Sequence, residues 1–388
     1  MTMPVAIEAV GKRCTGCEAC VSVCPAHALH MEQDNEGFFY PVVQDGLCTR
    51  CGSCTRRCPV ASQSVVFRHP LPSHAYAGGL QDKKERLFSA SGGAFPALAA
   101  AGKADTIYGA AWSSPDTVQH VRVDLQGIAA LRGSKYIQSH MDDAYCQVSN
   151  DLKNGLRVLF SGTPCQVAGL MAFLGKPDPA LTTVEIMCHG IASPGLFQQY
   201  LSQLGKKYGS PVQRYCFREK SILLGNWEFF HSAVRCEDGH TRHTYYEPFT
   251  QLFLSRCILR PSCEHCPFSG ETAHPADVIL GDYWGCSSND PELYHKYGVS
   301  ALIPLTEKGQ ELIRQADSLE LTEIPLNHVT EQNGVLLQHK PYPPERAAFF
   351  ALLEEKGLFA AVQKFSTPAT WKSKLKPYLR PFIKHLRG

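Results

Sequence analysis

From Tyr76 onward, short apolar runs alternate with amphipathic stretches. Asp105–Trp112 and Val121–Leu125 have the β-branched and aromatic content of strands. Asp142–Asn154 reads as a helix closed by Gly155, the residue type favoured just past a helix C-terminus. Arg157–Ser161 is a short apolar strand, Gln166–Leu174 a helix, and Thr182–Met187 another strand. Ser193-Pro194 supplies an N-cap hydroxyl and a first-turn proline for a helix running to about Tyr208. Val212–Arg218 and Trp227–Tyr246, the latter turned at Glu237-Asp238-Gly239, predict an antiparallel excursion. Strand and helix signals resume at Asp277–Leu280 and through Leu302–Ala316. The pattern predicts a mixed α/β domain with an antiparallel insertion. Trp227, Phe229, Phe230, Tyr245 and Tyr246 give that insertion an aromatic character, as core or as pocket lining.

The first 60 residues follow another logic. Asp34-Asn35-Glu36-Gly37 is a turn ahead of the strand-like Phe38-Phe39-Tyr40, and cysteines dominate the rest. Cys14-x2-Cys17-x2-Cys20-x3-Cys24-Pro25 is repeated as Cys48-x2-Cys51-x2-Cys54-x3-Cys58-Pro59. Three closely spaced thiolates wrap one face of a cubane, and the fourth comes from the other run. Cys14, Cys17, Cys20 and Cys58 are thus expected to hold one 4Fe–4S cluster, and Cys48, Cys51, Cys54 and Cys24 a second. Zinc sites group their ligands in pairs and disulfides suit secreted chains, so neither explains two identical quartets. The expected fold is an α+β dicluster ferredoxin domain over residues 1–60, a linker over 61–75 with Pro70 and Pro72, and the α/β domain over 76–345. A helical, basic tail over 346–388 completes it.

Composition narrows the function. The chain has 388 residues, 44% hydrophobic and 19% charged, which is ample for a sizeable core. A net charge of +2 offers no strong field for nucleic acid. Seventeen cysteines without a secretory leader or a membrane-length apolar run point to a reducing, cytoplasmic setting and to metal ligation. In the tail, Lys372, Lys374, Lys376, Arg380, Lys384 and Arg387 interleave with apolar residues, a pattern for a solvated helix or for contact with a membrane surface or partner.

Several motifs of the α/β region carry chemistry. Ser91-Gly92-Gly93 precedes a helix, where backbone amides can approach an anion or simply form a turn. Gly133-Ser134-Lys135-Tyr136, with Gln138, offers hydroxyl, ammonium and amide donors to a phosphate- or ribityl-bearing ligand, or is a polar loop. Ser161-Gly162-Thr163-Pro164-Cys165-Gln166 joins a strand to a helix, where open α/β sheets bind ligands. Cys188-His189-Gly190 ends another strand, and Cys263 and Cys266 form a Cys-x2-Cys pair. Cys165, Cys188, Cys263 and Cys266 are candidates for a third 4Fe–4S cluster; the alternative is separate structural thiols. Cys146, Cys216, Cys236 and Cys286 read as ordinary thiols.

In this order, with Arg260-Pro261-Ser262-Cys263 and Leu280-Gly281-Asp282-Tyr283-Trp284-Gly285, these motifs resemble the coenzyme F-420 hydrogenase/dehydrogenase beta-subunit family, in its bacterial branch with a fused ferredoxin head. The resemblance implies a bound flavin, FAD, beside a further cluster. It also implies a flavin site lined by Ser91, Gly92, Gly93, Gly133, Ser134, Lys135, Tyr136, Gln138, Ser161, Gly162, Thr163, Pro164, Gln166 and Gly190. His189 and Lys135 are then candidate proton donors for catalysis. No Gly-x-Gly-x-x-Gly stands in the strand-to-helix context of nicotinamide binding. The expected activity is flavin- and iron–sulfur-dependent oxidoreduction of a small-molecule or deazaflavin substrate, with a soluble ferredoxin or another redox protein as partner. The alternative is an electron-transfer subunit of a larger complex with no substrate of its own.

Overall fold

The computed structural model describes residues 7–62, 67–220, 222, 227–228 and 230–367. The basic tail from Trp371 and the aromatic Phe229 lie outside the described residues.

The head is a hairpin, β1 (Leu29–Gln33) and β2 (Phe39–Val43), with two four-residue helices, Ala19–Ser22 and Ser53–Arg56. The helices occupy equivalent places in the two cysteine runs, and each starts after a left-handed residue, Glu18 (φ 61) or Gly52 (φ 70). That bend turns the chain back after the second cysteine, as a run wrapping one small body requires.

The remaining strands are β3 (His74–Leu80), β4 (Thr106–Ser114), β5 (Thr117–Val123), β6 (Ser139–His140), β7 (Val158–Gly162), β8 (Leu181–Ile186), β9 (Val212–Cys216), β10 (His231–Cys236), β11 (Thr241–Tyr245), β12 (Val278–Asp282), β13 (Ser300–Pro304) and β14 (Leu319–Pro325). Nine form one mixed sheet in the order β14-β3-β13-β12-β8-β7-β4-β5-β6. Its centre, β12-β8-β7-β4, is parallel, and the pairings at β3, β13, β14 and β5 with β4 are antiparallel. β7, at the middle of the parallel part, is covered on both faces, and every one of its residues is buried. The predicted insertion is the separate three-stranded sheet β11-β10-β9, packed on the helices Pro194–Tyr208 and Pro248–Leu254 through Phe197, Tyr215, Phe217 and Phe249. None of the described helices is long and apolar enough to cross a membrane.

Candidate metal centres

Strands β7 and β8 are parallel neighbours, with Gly162 paired to Glu185. Their carboxyl ends therefore leave the sheet at one edge, and Cys165 and Cys188 follow within three residues of each strand's end. Cys165 is held in the first turn of the helix Pro164–Leu174, which Thr163 and Gln166 cap reciprocally. The third approach comes from the chain after Pro248–Leu254. Leu259 bridges Ala192, and the Arg260 amide donates to the Ile191 carbonyl at 2.9 Å, which sets Cys263 and Cys266 opposite the end of β8. Cys165, Cys188, Cys263 and Cys266 line one cavity with Phe268, His274 and His339.

Burial raises all four thiols, Cys263 to about 12 and Cys188 well above the ordinary range, and neighbouring thiols add to the effect at Cys188, Cys263 and Cys266. Four thiolates in such a space require cationic charge beside them. Iron in a cubane fits this donor set.

Cys14, Cys17, Cys20 and Cys58 line a second cavity, closed by Ile7, Val10, Met31 and Pro41. These are the four thiols that crossed ligation between the runs requires. Cys24 and Cys54 pack against Cys20 and Cys58, Cys48 is half-buried, and Cys51 is exposed. Ser53 contacts Cys51 through its hydroxyl and amide and lowers that thiol's pKa.

The two cavities touch. Thr15 lies in the wall of both, and its buried hydroxyl has no hydrogen-bond partner among the described residues. Gly169, one turn beyond Cys165 on the same helix, meets Cys17: a Cβ there would stand 3.2 Å from the Cys17 sulfur and 2.7 Å from the Tyr145 hydroxyl. Only glycine lets the cysteine loop and the helix approach so closely.

Sequence reasoning missed the side chains that seat the head on the α/β domain. Arg260 is fully buried. Its guanidinium donates to the Cys14 carbonyl (2.7 Å), the Gln138 amide oxygen (2.9 Å) and the Phe39 carbonyl (2.7 Å), and lies over the Tyr40 ring. Glu18 accepts from the Met141 and Asp142 amides and pairs with His140. The Tyr145 hydroxyl contacts the carbonyls of Cys17 and Gln166. Arg260 stands three residues before a cysteine and Glu18 between two, which was the available signal. Their partners are remote in sequence, so their role was not readable.

The residues expected around a flavin are placed as follows. The Gly92 amide donates to the Ser300 hydroxyl and the Gly93 amide to the Ala90 carbonyl, while the Ser91 hydroxyl donates to the Val299 carbonyl. The Lys135 ammonium donates to the carbonyls of Leu131, Arg132 and Gly133, and burial lowers its pKa to about 8. Tyr136 stacks on Phe253 at 4.5 Å. Ser134 is half-buried and Gly133 exposed. Gln138 bonds to the Gly16 carbonyl and Arg260, and Gln166 to Ser139 and Thr163. The Ser161 carbonyl is bonded to His120. Pro164 and Gly190 line the inner cysteine cavity; His189, beside Cys188, does not, and its buried Nε2 has no partner among the described residues. The Ser91 hydroxyl, the Gly92 and Gly93 amides, the Lys135 ammonium and the Gln138 and Gln166 amides are thus engaged within the protein, and these groups form no ready cradle for a flavin.

Fold and donor sets define an iron–sulfur protein of oxidoreductase type: a dicluster head seated at the carboxyl edge of a mixed sheet. Residues 13–62 match the 4Fe-4S dicluster domain, and residues 155–327 match the family described as the C terminus of the coenzyme F420 hydrogenase/dehydrogenase beta subunit. Residues 155–327 thus carry that family's C-terminal region, behind a dicluster head. Among solved structures it is similar to a chain of the F420-reducing [NiFe] hydrogenase complex from Methanosarcina barkeri, at 19% identity and a TM-score of 0.46, over 77% of this chain and 92% of that one. No curated protein matches the chain.

Proposed function

We propose that the chain relays electrons inward from an exposed docking end to a buried centre at the edge of the sheet. The observation that carries this reading is the common wall at Thr15 between two cavities, each lined by four cysteines. When bound, 4Fe–4S clusters supply one-electron chemistry. In this reading Cys48, Cys51, Cys54 and Cys24 hold the outer cluster, Cys14, Cys17, Cys20 and Cys58 the middle one, and Cys165, Cys188, Cys263 and Cys266 the inner one. Cys51, open to solvent, marks the outer end; Cys17, Cys20, Cys58 and Cys165 are buried, and Cys14, Cys188, Cys263 and Cys266 are half-buried. Exposed Leu47, Arg50 and Arg56 flank the outer run, a combination suited to a small acidic redox protein such as a ferredoxin. Arg260, Glu18 and Tyr145 keep the head registered on the α/β domain, and the apolar walls exclude water between the cavities.

The family resemblance adds FAD as a two-electron partner and a small-molecule substrate, with the Ser91–Gly93 and Gly133–Gln138 loops at the flavin and His189 or Lys135 as proton donor. No step is assigned to these residues, because the polar groups of those loops are already bonded. That same observation favours the second reading, a subunit that passes electrons to a larger partner. Anaerobic purification with iron and acid-released flavin measured per chain tests both. About twelve irons, four per cubane, with one flavin supports a flavin-dependent reductase. About twelve without flavin supports the electron-passing role. About eight removes the inner cluster and with it the relay.

A further inference from the structure

The three-stranded insertion carries a cluster that the relay does not use. His231 pairs with Tyr245 across β10 and β11, and Ala233 with His243. The two histidines are therefore diagonal neighbours on one face of the ladder. Their rings lie parallel, 4° apart in plane, with centroids at 5.3 Å. Glu219, just beyond β9, is fixed beside them because its amide donates to the His231 carbonyl at 2.7 Å. Its carboxylate lies 2.9 Å from His243 Nδ1. One ligand atom from each of the three residues lies within 4.8 Å of the others.

An ion pair between Glu219 and His243 accounts for two of these groups. It does not account for the second imidazole, which presents its nitrogen to the same space. Two imidazoles and one carboxylate are a donor set for Zn2+, whereas Ca2+ and Mg2+ prefer oxygen alone. Ligands about 2.0–2.1 Å from a tetrahedral zinc stand roughly 3.4 Å apart. Closing the cluster therefore takes a movement of about 1 Å, within reach of the partly exposed Glu219 and His243 side chains. The flanking residues face the other way: Arg218 pairs with Asp282 at 2.5 Å, and the Lys220 ammonium donates to the carbonyls of Arg86, Ser91 and Tyr297.

We propose that Glu219, His231 and His243 bind one Zn2+ ion on the outer face of the insertion, leaving a coordination position for water or an incoming ligand. The site would pin the chain just after β9, and so hold Arg218 at Asp282 and Lys220 at the Ser91 turn. This inference does not depend on the electron relay or on a flavin.

The test is titration of the cluster-loaded protein with Zn2+, by calorimetry and by zinc content after dialysis, with zinc X-ray absorption on the bound form. The expected result is one additional zinc per chain with a nitrogen and oxygen shell near 2.0–2.1 Å. His243→Ala should weaken binding at least about 100-fold, since even outer-shell partners of a metal cost 10–100-fold. Glu219→Gln, nearly isosteric, should also weaken it if the first variant misfolds. Iron content and cluster absorbance, unchanged in either variant, show that folding is intact. A zinc–sulfur shell near 2.3 Å, which would place the ion at cysteines, overturns the proposal. Equal zinc uptake by the wild type and both variants, or no uptake at all, overturns it too.

Discussion

The outer and inner cysteine quartets are the same chemistry in opposite settings. The outer one is made by local sequence: three of its thiols lie within seven residues, from Cys48 to Cys54, on a surface run where Cys51 is exposed. The inner one is made by topology: two thiols stand at the ends of adjacent parallel strands, and two come from a segment about a hundred residues away. Local spacing yields a site that a partner can touch. A sheet edge yields one whose thiols lie buried or half-buried under the rest of the fold. The middle quartet lies between, locally built but buried against the helix that carries Cys165.

The strongest way to break this contrast is Cys165→Ser. It should lower the iron content by about four per chain and slow electron delivery to any acceptor beyond the inner site at least about 100-fold. Reduction of the head by dithionite should persist, as low-temperature EPR would show. Loss of all iron would mean that the quartets are not separable.

Arg260→Ala attacks the seat of the head. It removes the donor from one buried acceptor, at about 1–3 kcal/mol, and from two part-buried ones at less, so a loss of a few kcal/mol is expected in stability by chemical denaturation. Proteolysis should then release the head first. An unchanged midpoint would show that the head is held elsewhere.

Arg50→Glu addresses the outer face alone. The variant should slow reduction by an acidic ferredoxin roughly tenfold at low ionic strength and approach wild type at high salt. Iron content should stay the same.

Thr15→Val removes the unpartnered hydroxyl from the common wall. If that hydroxyl donates to a cluster sulfur, its loss disfavours the reduced form by about tenfold in the one-electron equilibrium, about 59 mV. Potentiometric EPR reads the shift, and Thr15→Ser should restore the wild-type value.

The smallest effect concerns pH. Glu18 raises the His140 pKa above its ordinary value, so the folded state holds that proton more tightly than the unfolded one. The contribution is complete below about pH 6.5 and fades as pH rises through the raised value. His140→Gln should flatten that slope in thermal melts taken from pH 5 to 8.

Both strand-to-cysteine junctions could be read in advance. Thr182–Met187 and Arg157–Ser161 were expected within a residue of β8 and β7, because the first is rich in β-branched residues and the second is a short apolar run. β3 was hidden: apart from Tyr76, its centre from Ala75 to Gly79 is alanine and glycine, which carry little strand signal yet fit here because β14 presses close, where a Cβ on Gly78 would strike the Glu320 carbonyl. The order of nine strands was beyond reach because sheet order is set by long-range pairing. The candidate thiols could be named from spacing and motif. Thr15 could not, since a threonine between two cysteines shows no sign of the second cavity on its other side.

The crossing of Cys58 into the middle site and the length of chain enclosing the inner one have a consequence for maturation. During synthesis the head's thiols are complete once Cys58 has emerged, and metal can be loaded while the sheet is still unmade. The inner quartet exists only after the chain has been made through Cys266 and β7 has found β8. Arg260, which reaches back to the Cys14 carbonyl, comes from the segment that brings Cys263 and Cys266. Closing the inner site and locking the head would then be a single late event, a checkpoint that a poorly metallated chain fails.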